Sequence, residues 1–475
     1  MKVIGRKDEI GLLESLCEKD ESCFVAIYGR RRVGKTFLVR QVYQKHIVFE
    51  CSGVHQKNMN HQLENFWRSL IELKANKIVP PTPTTWLEAF FQLRDYLNTL
   101  DEATKKVVFL DEIAWFDTPR SGFLAGLDSF WNQYCSKRND IVLVICGSAA
   151  SWIIKKVVND RGGLHNRLTH QLLLKPFTLG ETALFLEKKR VNLSEKEVAQ
   201  LYMSVGGIPF YLNDIENGKS LPQILDKLFF EPQAKLKNEF QNLYASLFKN
   251  NHLHEKIVAA LAQKSKGLTR KEIIEITGIK TGGTLSLVLE ELIQCGFIQI
   301  IYPFQKAREE HLYRLVDEFS LFYFKFLFNN KGNNSWQQIT QKQAYKVWTG
   351  YAFENLCFKH IFQIKKALGI SGIISNVYSY TSKGDESYPG IQLDLVIDRD
   401  DNCINIVEAK FYNDEFVITE EYEKQLRRKA FVFKEKTRTR KNIFITIVSV
   451  FGVQKNRHYL SVVHNQLVLG ELFTS

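Results

Sequence analysis

The sequence predicts a multidomain α/β chain, and three observations carry that prediction. An apolar strand runs directly into a glycine-rich phosphate-loop motif and then a helix near the N-terminus. Three helical patterns and a β-type run follow one another at 254–301, and an apolar hairpin carrying charged residues lies at 392–411. A chain of 475 residues is too long for one hydrophobic core, so two or three domains are expected. The balance of 64 Lys and Arg against 52 Asp and Glu, a net charge of +12, favours phosphate-bearing partners, although a basic chain can simply be soluble. Eight scattered cysteines form no CxxC pair and several sit in apolar runs such as "IVLVICGS", which suggests reduced thiols and a cytoplasmic location. The start "MKVIGRKDEI" lacks a signal-peptide core. The greasiest run, "FSLFYFKFLF" (319–328), is too short to span a bilayer and carries Lys325, so no membrane is expected.

The first domain is assigned to 1–178. "CFVAIY" (23–28) is a short apolar strand, "GRRRVGKT" (29–36) follows it, and "FLVRQVYQ" continues in helical spacing. Gly29 and Gly34 let the backbone turn so that amides across Arg30, Arg31, Arg32 and Val33 point at phosphate oxygens, and the helix N-terminus adds partial positive charge. Lys35 is placed to reach the β- and γ-phosphates of ATP and Thr36 to hold Mg²⁺. The second apolar run, "KVVFLDEIAWF" (106–116), ends in Asp111 and Glu112, suited to the Mg²⁺ shell and to orienting the attacking water. The third, "DIVLVICGSAASWI" (140–153), has Ser148 at its end, either as a sensor of the γ-phosphate or as a helix N-cap. Buried strands alternating with helices predict a doubly wound parallel sheet.

Other segments carry a family resemblance. "VIGRKDEIGLLESL" (3–16) looks like the hhGRxxE box of AAA+-like STAND ATPases, and "VGGIPFYL" (205–212) resembles their GGxP element after a helical lid. "GLHNRLTHQLLLKPF" (163–177) is similar to their arginine segment before an LxPF strand. That likeness implies Arg167 as the arginine near the γ-phosphate, with Arg161 as a rival, while Gly206, Gly207 and Pro209 can also serve simply as a helix-breaking turn. The prokaryotic "archaeal ATPase" group of this class resembles nearly the whole chain. It implies a helical lid (179–250), a winged helix (251–328) and a C-terminal nuclease-like domain (339–475).

The middle segment reads independently as helix, helix-turn-helix and wing. "LTRKEIIEITGI" forms the second helix and "TGGTLSLVLEELIQCG" the third, which in DNA readers enters the major groove. Lys280 precedes that third helix, but Glu290 and Glu291 occupy its body, so DNA reading and protein docking both stay open. Lys306 and Arg308 in the wing can touch phosphate or simply be solvated. The aromatic run at 319–328 reads as helical core.

A linker-like stretch, "NNKGNNSWQQ" (329–338), precedes a long helical segment at about 341–368, a strand near 372–382, the hairpin, a basic helix and the strand "KNIFITIVSVFGV". Alternation puts Leu393, Leu395 and Ile397 on one face and Asp394 on the other, with Ile406, Glu408 and Lys410 together on the second strand. A turn at 399–402 brings Asp394 opposite residues 407–408. Two close carboxylates need a cation, and a neighbouring lysine stabilises developing negative charge. This Asp…ExK arrangement resembles the PD-(D/E)xK fold. The resemblance implies Asp394 and Glu408 as metal ligands, Lys410 as the residue assisting phosphodiester hydrolysis, Glu354 as the acidic residue of the first helix and Gln425 as a supporting polar residue. Leu393 stands where the family usually has Pro. A salt-bridged hairpin on an inactive fold is the alternative.

With no paired zinc ligands among its 11 His and eight Cys, the chain is expected to use Mg²⁺, or Mn²⁺ at the nuclease-like site. The functional expectation is an ATP-binding and ATP-hydrolysing switch coupled to a nuclease-like domain acting on DNA. Homo-oligomers through the ATPase domain and a protein partner at the winged helix are further expectations. The alternative is a regulatory DNA- or protein-binding switch that does not cut. The basic run "KQLRRKAFVFKEKTRTRK" (424–441) suits either a phosphate backbone or solvent.

Overall fold

The computed structural model describes residues 3–73, 79–101, 104–148, 150–158, 164, 166–248, 251–305, 311–328 and 335–474. Arg161, Lys306, Arg308 and part of the linker-like stretch lie outside them. The chain divides into two compact units, 1–176 and 177–475.

The first unit contains α1 (Lys7–Glu18), β1 (Cys23–Tyr28), α2 (Lys35–Val42), β2 (Ile47–Ser52), α3 (Met59–Ile71), α4 (Trp86–Leu97), β3 (Lys106–Asp111), α5 (Phe123–Gln133), β4 (Ile141–Gly147), α6 (Ala150–Ile153) and β5 (His170–Leu173). The strands form one parallel sheet in the order β2-β3-β4-β1-β5. β3 and β4 are buried along their whole length rather than at alternate positions, because helices cover both faces of a parallel sheet. On one face an aromatic core gathers Phe66, Trp86, Phe90, Phe123 and Phe130. Tyr28 pairs with Gly147 and Leu110 with Ile145. The carboxyl ends of β1, β4 and β3 therefore finish side by side, the edge at which open α/β sheets bind ligands. At the opposite end Lys106 Nζ lies 2.6 Å from Asp140 Oδ2, and Arg138 Nε lies 2.7 Å from Asp140 Oδ1. Such a buried group is tolerable only because every charge in it is paired.

The second unit begins with helices: α7 (Leu179–Lys188), α8 (Glu195–Val205), α9 (Pro209–Leu212), α10 (Leu221–Leu225) and α11 (Glu239–Leu247). Capping boxes at Thr178 and Ser194 start α7 and α8. Between α8 and α9, a Cβ on Gly207 would lie 2.0 Å from the Phe177 carbonyl oxygen. Glycine is required there for the backbones to meet, which accounts for this part of the GGIP sequence without a ligand.

Next come α12 (Asn251–Ala262), α13 (Arg270–Thr277), α14 (Gly283–Gln294) and an antiparallel pair, β6 (Ile298–Ile301) with β7 (Leu312–Leu315). The aromatic run forms α15 (Glu318–Phe322) and the helical turn 323–327. Phe319, Phe322, Tyr323 and Phe326 are buried, and Tyr323 stacks on Phe240 at 4.3 Å, as core packing requires.

The C-terminal part contains α16 (Trp336–Thr340), α17 (Gln343–Lys359), α18 (Ile361–Ala367), β8 (Ser375–Ser382), β9 (Ile391–Arg399), β10 (Cys403–Lys410), α19 (Glu420–Thr437), β11 (Asn442–Ser449), α20 (Arg457–Val462) and β12 (Asn465–Val468). The sheet runs β12-β11-β10-β9-β8, antiparallel from β8 to β10 and parallel from β10 to β12, with α19 as the crossover that a parallel pair needs. The helical segment expected to run continuously to about 368 is divided at His360. That ring donates from Nδ1 to the Leu356 carbonyl at 2.9 Å and accepts the Leu179 amide at Nε2, also 2.9 Å.

Candidate functional site

The phosphate loop leaves β1 through Gly29, whose φ of +140° and whose position under the Leu174 carbonyl, 2.4 Å from where a Cβ would be, admit only glycine. Gly34, at φ +90°, precedes the first residue of α2. Lys35 is 6% exposed, and its ammonium donates to the carbonyls of Gly29 (3.0 Å) and Arg30 (2.9 Å). The ammonium thus closes the loop on itself, using donors that a phosphate can claim. Arg30 and Val33 are buried, while Arg31 and Arg32 are half-buried. Arg6, from the GRxxE stretch, is buried, pairs with Glu9 at 3.3 Å and reaches the Val33 carbonyl at 3.5 Å. It braces the loop from behind, a role the residue assignments above did not include.

Thr36 Oγ1 donates to Asp111 Oδ2 at 2.7 Å, so the two expected Mg²⁺ ligands face each other. Burial raises the Asp111 pKa, with the Thr36 hydrogen bond opposing that effect. Glu112 follows in a left-handed conformation, φ +46°, its amide donating to Asp111 Oδ1 at 2.9 Å. Ser148 donates to Glu112 Oε2 through its hydroxyl (2.9 Å) and its amide (3.3 Å). Ser148 therefore holds Glu112, a partnership that neither the sensor nor the cap expectation named. Arg167 is exposed in the turn ahead of β5, and its rival Arg161 lies outside the described residues.

The second constellation lies on the β9–β10 hairpin. Val407 pairs with Leu395, so the next position of the ladder sets Glu408 opposite Asp394. Asp394 Oδ2 accepts the Ala409 amide at 3.0 Å. Glu408 is 1% exposed and held from three sides: Lys429 Nζ at 2.6 Å, the Tyr422 hydroxyl at 3.2 Å and Lys410 Nζ at 3.5 Å. The Lys410 ammonium also sits 5.1 Å from the centre of the Tyr422 ring. Glu354 on α17 completes the group electrostatically. Burial, then Asp394, pushes its pKa to about 8; burial, then Glu408, pushes Asp394 to about 6. Gln425 is exposed on α19, between Tyr422 and Lys429 in sequence.

Residues 4–215 match a family described as an ATPase domain predominantly from Archaea. This segment has a P-loop ATPase-like fold. The chain is 24% identical over 417 residues to the uncharacterized protein MJECL04 of Methanocaldococcus jannaschii, covering 86% of this chain and 87% of that one. It is 25% identical over 302 residues to the uncharacterized ATP-binding protein MJ1010 of the same organism, covering 51% of this chain and 79% of that one. Among solved structures, the Walker-type ATPase PABY2304 of Pyrococcus abyssi is similar in fold, with a TM-score of 0.52 and 17% identity over 68% of this chain and 96% of that one.

In the C-terminal part, Tyr422 and Lys429 were missed by sequence reasoning. Their spacing of seven on α19 puts them on one helix face with Gln425, a pattern that becomes informative once that face is known to pack on the hairpin. Among the described residues no three His, Cys, Asp or Glu side chains gather as a metal site. Asp394 and Glu408 together offer hard oxygen donors of the kind Mg²⁺ takes, which keeps several waters and uses substrate phosphate oxygens for its other positions. Both Glu408 oxygens already accept a hydrogen bond, Oε1 from Lys429 and Oε2 from Tyr422, so an ion would share the carboxylate with these donors. No helix among the described residues is long and apolar enough to cross a membrane.

Proposed function

We propose that this protein is an ATP-driven switch whose AAA+-like, STAND-type ATPase domain (1–178) controls a Mg²⁺-dependent nuclease-like domain (339–475) acting on DNA. In the ATPase domain the loop amides, Lys35 and Thr36 would hold the nucleotide with Mg²⁺, Asp111 would support the ion, Glu112 would orient water, and Ser148 holds Glu112. Arg167 serves the γ-phosphate from a neighbouring copy in a homo-oligomer. The helices at 179–250 act as a lid. The order of three helices and a two-stranded hairpin at 251–315 supports the winged-helix reading, with DNA or a protein as its partner.

The observation that carries the nuclease reading is the convergence of Asp394, Glu408, Lys410 and Glu354. Asp394 and Glu408 would hold Mg²⁺ or Mn²⁺, which supplies charge neutralisation and an activated water. Lys410 then stabilises charge developing on the phosphate, Glu354 holds a proton near the site, and Gln425 supports the helix face. Cleavage of linear, circular and single-stranded DNA in Mg²⁺ or Mn²⁺ tests this reading. Lys410→Ala should abolish cutting with DNA binding kept, and undiminished cutting by that variant refutes the assignment. The regulatory alternative, in which the domain binds without cutting, draws on the hydrogen bonds that Lys429 and Tyr422 already make to Glu408.

A further inference from the structure

Asp394 and Glu354 line a cavity of about 260 Å³ whose walls come from two segments, the C-terminal part and the three-helix segment with its turn 264–267 and Arg314 on β7. The two walls are joined. Pro303 bridges Ser379 in parallel, and Phe304 is buried against Tyr378 and Phe433 of the C-terminal core. The turn is seated on β7 as well, since a Cβ on Gly267, at φ +95°, would lie 2.6 Å from the Tyr313 carbonyl oxygen. Arg314 is 7% exposed. Its charge acts on Glu354 and Asp394, yet among the described residues it forms no direct ion pair with either. A guanidinium keeps its charge in such a setting and presents a fork of donors matched to phosphate oxygens. Lys264 is engaged by Glu272 at 2.5 Å, whereas Lys266 stands exposed at the cavity rim.

We infer that this cavity is a phosphodiester subsite built jointly by the two segments, in which Arg314 and Lys266 hold a backbone phosphate of a DNA strand facing Asp394 and Glu354. The volume is below the roughly 300 Å³ at which pockets for whole small molecules begin, which suits one phosphodiester with its water or ion shell. Arg314 and Lys266 would hold the phosphate oxygens, and Asp394, lining the same cavity, would be left to take an ion. The choice of ligand rests on the nuclease-like reading above; the composite cavity does not.

The test is fluorescence anisotropy of a labelled DNA duplex and of a labelled single strand with the full chain in EDTA, where nothing is cut, over a series of salt concentrations. Lys266→Ala, at an exposed position, should weaken binding and reduce the slope of log Kd against log salt by about one. Arg314→Lys, which keeps the charge and loses the fork, should weaken binding roughly tenfold with the slope retained. Wild-type affinity and slope in both variants overturn the subsite, as does a wild-type protein that binds neither DNA. Cutting in Mg²⁺ separates the two claims. A protein that binds through Lys266 and Arg314 without cutting keeps the subsite and loses the nuclease. One that cuts through Lys410 while Lys266→Ala and Arg314→Lys bind normally keeps the nuclease and loses the subsite.

Discussion

Protonating His360 is the perturbation whose cost follows most directly from geometry. Its Nδ1 donates to Leu356 and its Nε2 accepts the Leu179 amide, so only the neutral ring satisfies both partners. Burial, the largest cause, pushes its pKa from the ordinary 6.5 to about 4. Because the folded value is lowered, the unfolded chain binds the extra proton first. The stabilising contribution is complete above about pH 6.5 and is lost progressively as pH falls towards 4. At about 1.4 kcal/mol per pH unit the whole window is worth roughly 3 kcal/mol, of which about 2 kcal/mol is lost by pH 5. Urea unfolding of wild type and His360→Gln near pH 7.5 and near pH 5 measures this. Groups whose pKa moves the other way, Glu354 and Asp394 among them, are common to both proteins and cancel in the difference. The variant should be less stable at the higher pH, and the gap should narrow by about 2 kcal/mol at the lower. An unchanged gap refutes the reasoning.

Other expectations concern the ATPase domain. Asp140→Asn leaves Lys106, 1% exposed, without its carboxylate and should destabilise the first unit by about 3–5 kcal/mol in denaturant titrations. Lys106→Met should cost less, because Asp140 keeps Arg138. Glu112→Gln should slow ATP hydrolysis by roughly 10²-fold or more while fluorescent-nucleotide binding persists, and Lys35→Ala should lose the binding itself. Ser148→Ala, which frees Glu112, should slow hydrolysis by a smaller factor than Glu112→Gln in the same phosphate-release assay.

The phosphate loop was legible because its requirements are local: glycine where φ is positive, lysine and threonine at the start of a helix, and an apolar strand just before. The hairpin could be counted for the same reason, since a ladder of period two needs only a turn position to bring Asp394 opposite Glu408. What escaped depends on packing between segments distant in the chain. Nothing near Tyr422 or Lys429 announces that their helix face turns to Glu408, and Arg314 reads as an ordinary strand residue until it is seen to line one cavity with Asp394. Ser148 stood at a strand end in the sequence, but its partner follows from β4 lying between β1 and β3. His360 was hidden inside a helical pattern because its role as acceptor depends on the start of α7.

On the proposed function, nucleotide in the first unit governs chemistry at the hairpin. The direct measurement is DNA cleavage by purified wild type, Lys35→Ala and Lys410→Ala in Mg²⁺, with and without ATP, alongside phosphate release. ATP should alter cutting by wild type but not by Lys35→Ala, and Lys410→Ala should hydrolyse ATP without cutting. Cutting at one rate by wild type and Lys35→Ala, whatever the nucleotide, contradicts the proposal.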